Sequence, residues 1–477
     1  MSTAFAVGPG RPTGGHLPWA AIPIIAGALL VGLALGDPAP LWWIPLGAAT
    51  VVGVLAMSMR WPYPSLLLLI GSSVLLVVVR VVGLRSANLI DVLLPPVLLV
   101  SVLGGARRAA HAESEAGPAH DRLHRAERGL FRWVLVFYGI AALSLVRLAQ
   151  LAGVGPALES SLTLIRAFQG LSFYGLCIWW LRDPVRIERA WRAIFIAGSA
   201  LVILNIVGVA AWGVKRAGMT FFLNNWDAPF ADPNEAGTAS LIVGTVLIIR
   251  HATRPQARNL VLGGLMVLML GLTQSRSAIL AWATFGLFTL RWIRPSKILA
   301  GAFGIAMILP LLPASFWIRM TRSLEVERGT FETYSILFRL YTWKSAWSVV
   351  QDHWLIGVGY LGFHHVSRAY NQFGVVLGSL ENYYYEVLVS MGVIGLAVLG
   401  VVLVKLYRLG REVGRVAPAG SLAHHMARYH APLITALLVA NLTGDNFMGL
   451  VGLAQLSIWT AVLVRSGHAA VAADSRA

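Results

Sequence analysis

The chain has 477 residues, 57% of them hydrophobic and only 12% charged, with 38 Lys and Arg against 21 Asp and Glu. With a mean hydropathy of +0.71, this composition excludes an ordinary soluble globular protein. The net charge of +17 then belongs on the basic cytoplasmic loops of a membrane protein rather than on a nucleic-acid-binding surface.

The single cysteine, Cys177, lies in an apolar run, so no intramolecular disulfide can form. GPGRPTGGHLP precedes the first apolar run, which continues into further spans, and no cleavable signal peptide is expected. Runs near the roughly 20 residues needed to cross a bilayer as helix fall at about 18–35, 41–58, 64–84, 88–104, 130–152, 161–181, 193–213, 234–250, 259–274, 277–291, 298–314, 382–404, 431–443 and 447–464. The pair within 64–104 could also be one merged or re-entrant element, and twelve spans would fit as well as fourteen. The expected fold class is all-α: a polytopic transmembrane bundle of about 12–14 spans, with one large external loop containing short interfacial helices. Four regions follow: 1–129, N-terminal spans and a linker; 130–314, a central bundle; 315–381, the large loop; 382–477, C-terminal spans and tail.

Charge sets the orientation. With the N-terminus inside, the inner loops carry Arg107, Arg108, Arg122, Arg125 and Arg128, then Arg182, Arg186, Arg189 and Arg192. They continue with Arg250, Arg254 and Arg258, then Arg291, Arg294 and Lys297, and last Lys405, Arg408, Arg411, Arg415 and Arg428. Every short inner loop after the fourth span is basic, as the positive-inside rule requires. Both termini are therefore expected in the cytoplasm and the 315–381 loop outside. Segment 105–129, mixed in charge and rich in Gly, Ala and His, reads as a solvated, partly helical cytoplasmic linker.

The outer side collects NNWDAPFADPNEAG (224–237), TQSRSA (273–278), the large loop and TGDNF (443–447). Within the large loop, Ile336, Leu340, Trp343, Trp347 and Val350 share one helical stripe. Arg339 and Lys344 border that stripe, while Thr342, Ser345 and Asp352 lie opposite. Such a helix suits the membrane interface, basic side chains reaching lipid phosphates; packing on the protein's own spans is the alternative. DHWLIGVGYLGF (352–363) supplies Gly357, Gly359 and Gly362 for a tight turn. Their amides could also face an anion.

Glu381 and Asn382 stand just before a span, followed by three tyrosines at aromatic-belt depth. Glu381 is placed either as a general base at the edge of the apolar layer or as a plain helix cap. Arg276, between two spans with almost no loop, is costly there unless it faces a polar cavity or a partner. Its planar fork of donors matches phosphate oxygens; a structural pair with Asp232 or Asp445 is the alternative. Asp232 and Asn234 before the eighth span read first as helix caps. No metal site is expected: His364 and His365 are adjacent and no carboxylate sits at ligand spacing. No cofactor is expected.

TQSRSA, then Arg339-x-x-x-Trp343 followed by DHWLIGVGYLGF, then ENYYYEVLVSMGVIG, resemble the O-antigen ligase and polymerase superfamily in order and spacing, over about Asn234 to Val404. The resemblance implies a membrane enzyme moving glycan from an undecaprenyl-diphosphate carrier to an acceptor on the outer face of the cytoplasmic membrane. Neither a metal nor a nucleotide sugar would be needed. It carries Arg276 and Arg339 onto the family's diphosphate-holding arginines, and Glu381–Asn382 onto its histidine–asparagine pair. Glutamate at the position of the usual base is a departure, and makes a polymerase or a ligase of another glycan fit better than an O-antigen ligase proper. The expected catalytic residues are Glu381, Arg339 and Arg276. Asn382, Lys344, Asp232, Asn234, His364, His365 and Tyr383 are expected to line the substrate. The implied partners are the lipid-linked oligosaccharide, membrane lipids, and a chain-length regulator or polysaccharide export proteins, with no nucleic acid. A lipid-linked glycan flippase or secondary transporter is the competing class. It would gather polar groups near the bilayer midplane, whereas here they collect at one surface.

Overall fold

The computed structural model describes residues 56, 58, 60–74, 76–79, 87–105, 118–212, 216–218, 220–222, 230–231, 233–293, 295–321, 331–372, 374, 376–444, 447 and 450–474. The expected span at 18–35, nearly all of that at 41–58, Asp232, Asp445 and residues 322–330 lie outside them.

The chain is a multi-pass helical membrane protein. Among the described residues its helices are α1 (Pro62–Val74), α2 (Leu89–Gly105), α3 (Pro118–Ala152), α4 (Val154–Trp180) and α5 (Pro184–Trp212). Next come α6 (Pro233–Thr253), α7 (Ala257–Thr273), α8 (Arg276–Leu290), α9 (Pro295–Ile308), α10 (Ala314–Thr321) and α11 (Phe331–His353). The chain closes with α12 (Phe363–Val366), α13 (Tyr383–Val416), α14 (Leu422–Ala440) and α15 (Leu450–Asp474). Six of them, α3, α4, α5, α6, α13 and α15, are long and apolar enough to cross a bilayer.

Apolar residues on the outer faces stay uncovered by protein. Leu143, Leu158, Leu162, Ile196, Leu287, Leu299 and Phe303 are each more than 60% exposed, a surface that suits lipid and would aggregate in water. Within the bundle α6 and α15 are the enclosed helices, and Trp459 of α15 is packed almost completely. Small residues bring helices close: a Cβ on Gly237 would stand 2.3 Å from Cβ of Ala278, and one on Gly170 would stand 2.8 Å from the Leu450 carbonyl.

Two features depart from a simple row of spans. The apolar run at 64–84 stops as a helix at Val74 and continues as strand β1 (Leu76–Val79). β1 pairs antiparallel with β2 (Ala87–Asn88) and parallel with β3 (Thr220–Phe222), which pairs antiparallel with β4 (Phe230–Ala231). The valines at 77–79 favour this extended form. Secondly, helices continue past the apolar runs into basic segments: α3 begins at Pro118, so the end of the expected linker is helix, and α13 runs on to Val416.

Candidate functional site

The site is built where α11 lies against the start of α13. Arg339 and Trp343 are four residues apart and share a face of α11. The Trp343 indole donates to the Leu380 carbonyl at 2.8 Å, and the Tyr385 hydroxyl returns a bond to the Trp343 carbonyl at 2.8 Å. These two bonds fix α11 on the 380–385 segment and deliver the Arg339 guanidinium onto the Glu381 carboxylate, with which it forms an ion pair. Arg339 is 28% exposed at its side chain and Glu381 46%, so the pair is open on the carboxylate side. The Arg339 Nε is buried and finds no protein acceptor, a donor left over by the pairing.

Glu381 is not the helix cap. That role falls to Asn382, whose side chain accepts from the Tyr385 amide at 3.0 Å. Tyr383, buried, donates its amide to the carbonyls of Asn441 and Gly444, both at 3.0 Å, so the end of α14 closes over the start of α13. Glu381 itself has a φ of 48°. The described non-glycine residues with positive φ are Gln274, Leu361 and Glu381, one in each of TQSRSA, GVGYLG and ENYYYE. Left-handed backbone costs a side-chain-bearing residue energy and collects at functional segments.

Arg276 opens α8. Its neighbour Ser275 caps that helix, accepting from the Ala278 amide, and donates to Asn234 Oδ1 at 2.8 Å. The Gln274 side chain donates to Ser315 Oγ at 3.0 Å, and Arg216 donates to the Thr273 carbonyl at 3.1 Å. Asn234 is thus tied to the TQSRS turn rather than capping α6. At its other end α8 runs into Trp292, which lies under Arg428 near the beginning of α14. The two helices are therefore antiparallel, and Arg276 falls at the end of the bundle where α14 finishes beside Tyr383.

The glycine motif is a backbone joint. Helix α13 breaks at Gly392 (φ 65°), releasing carbonyls and amides inside an apolar span, where each must find a partner. The amides of Val358 and Gly359 donate to the carbonyls of Val389 and Ser390, both at 2.9 Å. In return the amides of Val393 and Ile394 donate to the carbonyls of Trp354 and Leu355, at 2.8 and 3.4 Å. Gly357, Gly359 and Gly392 all have positive φ, and a Cβ on Gly392 would stand 2.2 Å from the Leu355 oxygen. Tight turning, not anion binding, is what these amides do.

Other expected site residues are dispersed. Lys344 is exposed on α11. His364 is exposed, with Nδ1 3.1 Å from the Leu377 carbonyl. His365 lines a separate pocket with His353, Arg368 and Tyr370, where burial first, then His364, pushes its pKa below the ordinary value. The expected stripe on α11 is split: Leu340 and Trp347 are more than half exposed, whereas Val350 is packed. Thr342 and Ser345, expected on the wet side, are buried and satisfy themselves on the carbonyls of Phe338 and Tyr341.

Sequence reasoning passed over Glu386, 3% exposed in the first turn of α13, with Ser390 donating to it at 3.2 Å. A carboxylate inside an apolar span was the available signal. An apolar cavity lined by Tyr383, Phe447, Leu399, Leu403, Phe137 and Tyr138 opens beside the same helix start.

Residues 261–400 match a protein-family model described as O-antigen ligase. The matched stretch contains Arg276, Arg339, Glu381, Asn382 and the Gly392 joint, and it supports the O-antigen ligase superfamily, as the motifs suggest. No curated protein matches the chain.

Proposed function

We propose that this membrane protein is a glycosyltransferase of the O-antigen ligase and polymerase type, transferring or polymerising glycan from an undecaprenyl-diphosphate carrier for surface polysaccharide synthesis. The reaction takes place on the outer face of the cytoplasmic membrane, with both termini inside and the 315–381 loop outside. The observation that carries this reading is the Arg339–Glu381 pair. It joins an anion-holding group to a proton acceptor at the mouth of a membrane-embedded helix, within the matched stretch.

The donor's diphosphate takes Arg339 away from Glu381, using its planar donors and the unpaired Nε. Arg276, at the same end of the bundle, holds the second phosphate. Exchange of partner frees the Glu381 carboxylate, which is open to solvent, to accept the proton of an acceptor hydroxyl. The acceptor oxygen attacks the anomeric carbon from the face opposite the leaving group. The carbon–oxygen bond to phosphate breaks, and the configuration inverts. The departing undecaprenyl diphosphate carries the electron pair, and the arginines stabilise its charge. The reaction is metal-independent because the leaving group is already activated. The apolar cavity beside Tyr383 suits part of the carrier's hydrocarbon chain, and Asn382 flanks the glycan.

The test is turnover of a diphosphate-linked oligosaccharide by purified protein and two variants. Glu381→Gln is expected to lower turnover about 10²–10⁴-fold without weakening donor binding, since it removes the competitor for Arg339. Arg339→Ala is expected to weaken both. Full activity of Glu381→Gln across the pH range removes the base; unchanged donor affinity and turnover in Arg339→Ala remove the diphosphate site.

A further inference from the structure

At the end of the bundle remote from Glu381, three histidines from opposite ends of the sequence meet. His120 and His124, one turn apart at the start of α3, face His468 near the end of α15. Their ring centroids are 4.5 to 4.6 Å apart in every pair, and one ligating nitrogen from each lies within 4.8 Å of the others. The His468 Nδ1 stands 3.2 Å from the His120 Nδ1. Two nitrogens bound to one tetrahedral zinc at roughly 2.0–2.1 Å are about 3.3 Å apart, so this pair already has the spacing of a coordination edge.

The surroundings match a metal site's outer layer. The other His468 nitrogen, Nε2, is 3.4 Å from Glu127 Oε2, and the His124 Nδ1 is 3.5 Å from the same oxygen. A carboxylate behind ligating imidazoles fixes their tautomers and raises their basicity. Glu127 is itself anchored, accepting from the Tyr174 hydroxyl at 2.7 Å. His468 is 8% and Glu127 13% exposed at the side chain, so the cluster is closed on the protein side. His120 and His124 are partly open, which leaves a path of entry and room for a water as fourth ligand. His120 and His468 are 348 residues apart, so their meeting is tertiary.

We propose that His120, His124 and His468 bind one zinc-class divalent transition-metal ion, with Glu127 as the carboxylate behind them. The ion clasps the start of α3 to the end of α15. Its role is structural, separate from the transfer site, and it closes the bundle at the end of the apolar cavity that Glu127 lines.

The experiment uses the full chain, purified in detergent with a tag free of histidine and stripped with chelator. Zinc is titrated alone in competition with a chromophoric chelator, and cobalt(II) serves as the spectroscopic probe. One zinc per chain is expected, with visible cobalt bands of tetrahedral intensity. His468→Ala and the double variant His120→Ala/His124→Ala should lose both signals, and His424→Ala/His425→Ala should keep them. Glu127→Gln should weaken zinc binding about 10–100-fold. His120→Ala alone, at a partly exposed position, serves where His468→Ala fails to elute as a monodisperse species. Absence of stoichiometric zinc in the wild-type chain, or zinc and cobalt signals that persist in His468→Ala or His120→Ala, would overturn the assignment.

Discussion

Replacing Gly392 with alanine puts a methyl group where the Leu355 oxygen, 2.2 Å away, and the Ile356 amide nitrogen, 2.5 Å away, now stand. Both obstacles are backbone, so nothing rotates aside. The φ of 65° adds roughly 1–2 kcal/mol for any residue with a Cβ. Pushing the two segments of the joint apart forfeits the bonds from Val393 and Ile394 to Trp354 and Leu355. Two buried backbone bonds lost are worth about 2–3 kcal/mol net. The sum, about 3–5 kcal/mol, falls on the junction between the 315–381 loop and α13. The loop should detach locally before the bundle unfolds. The assay is limited proteolysis of the 353–363 segment with a denaturation midpoint in detergent, comparing Gly392→Ala with Gly400→Ala, whose added Cβ meets open space. Faster cleavage and a lower midpoint in the first variant alone are expected, together with lost turnover. Equal cleavage and equal midpoints would refute the reasoning that the glycine motif is a backbone joint.

Trp343→Phe keeps the ring but removes the bond to the Leu380 carbonyl, so the fold should survive with about 1 kcal/mol less stability, read from the denaturation midpoint, and with reduced turnover as Arg339 loses its seating. Ser275→Ala removes the α8 cap and the Asn234 tie; about 1–2 kcal/mol is expected from the cap, seen as lowered thermal stability, and Ser275→Thr should restore part of it. His353, 3.1 Å from the Tyr370 hydroxyl, has its pKa held down by burial first and Arg147 second. The folded loop therefore favours the neutral ring: its contribution is complete above the ordinary histidine pKa and is lost as pH falls below it. Protease cleavage within 353–370 should rise between pH 7 and pH 5, and the rise should shrink in His353→Gln.

The spans were legible because a bilayer demands long apolar runs: α6, α7 and α8 follow those runs closely, and α3, α4, α5, α13 and α15 contain them but extend further at one end. What the sequence concealed depends on partners distant along the chain. The break at Gly392 lies in SMGVIG, which reads as continuous helix, because the groups that satisfy it come from the 354–359 turn. Arg339 and Glu381 were each recognisable as unusual, yet their pairing rests on Trp343 and Tyr385 locking α11 to α13. Capping, one of the two roles open to Glu381, belongs to its neighbour. The histidine cluster is invisible locally, since His120 and His124 sit in a polar segment that resembles a linker. The LVVV run at 76–79 is ambiguous between span and strand; it takes the strand, through pairing with residues 220–222.

The central claim is tested most directly by mixing purified protein in nanodiscs with a diphosphate-linked oligosaccharide and separating the products by size, with Arg339→Ala alongside. A ladder of lipid-linked multiples, or donor consumed only when a separate acceptor is supplied, with neither formed by Arg339→Ala, is the predicted result. Donor that stays intact with every acceptor, or products that Arg339→Ala makes equally well, would contradict it.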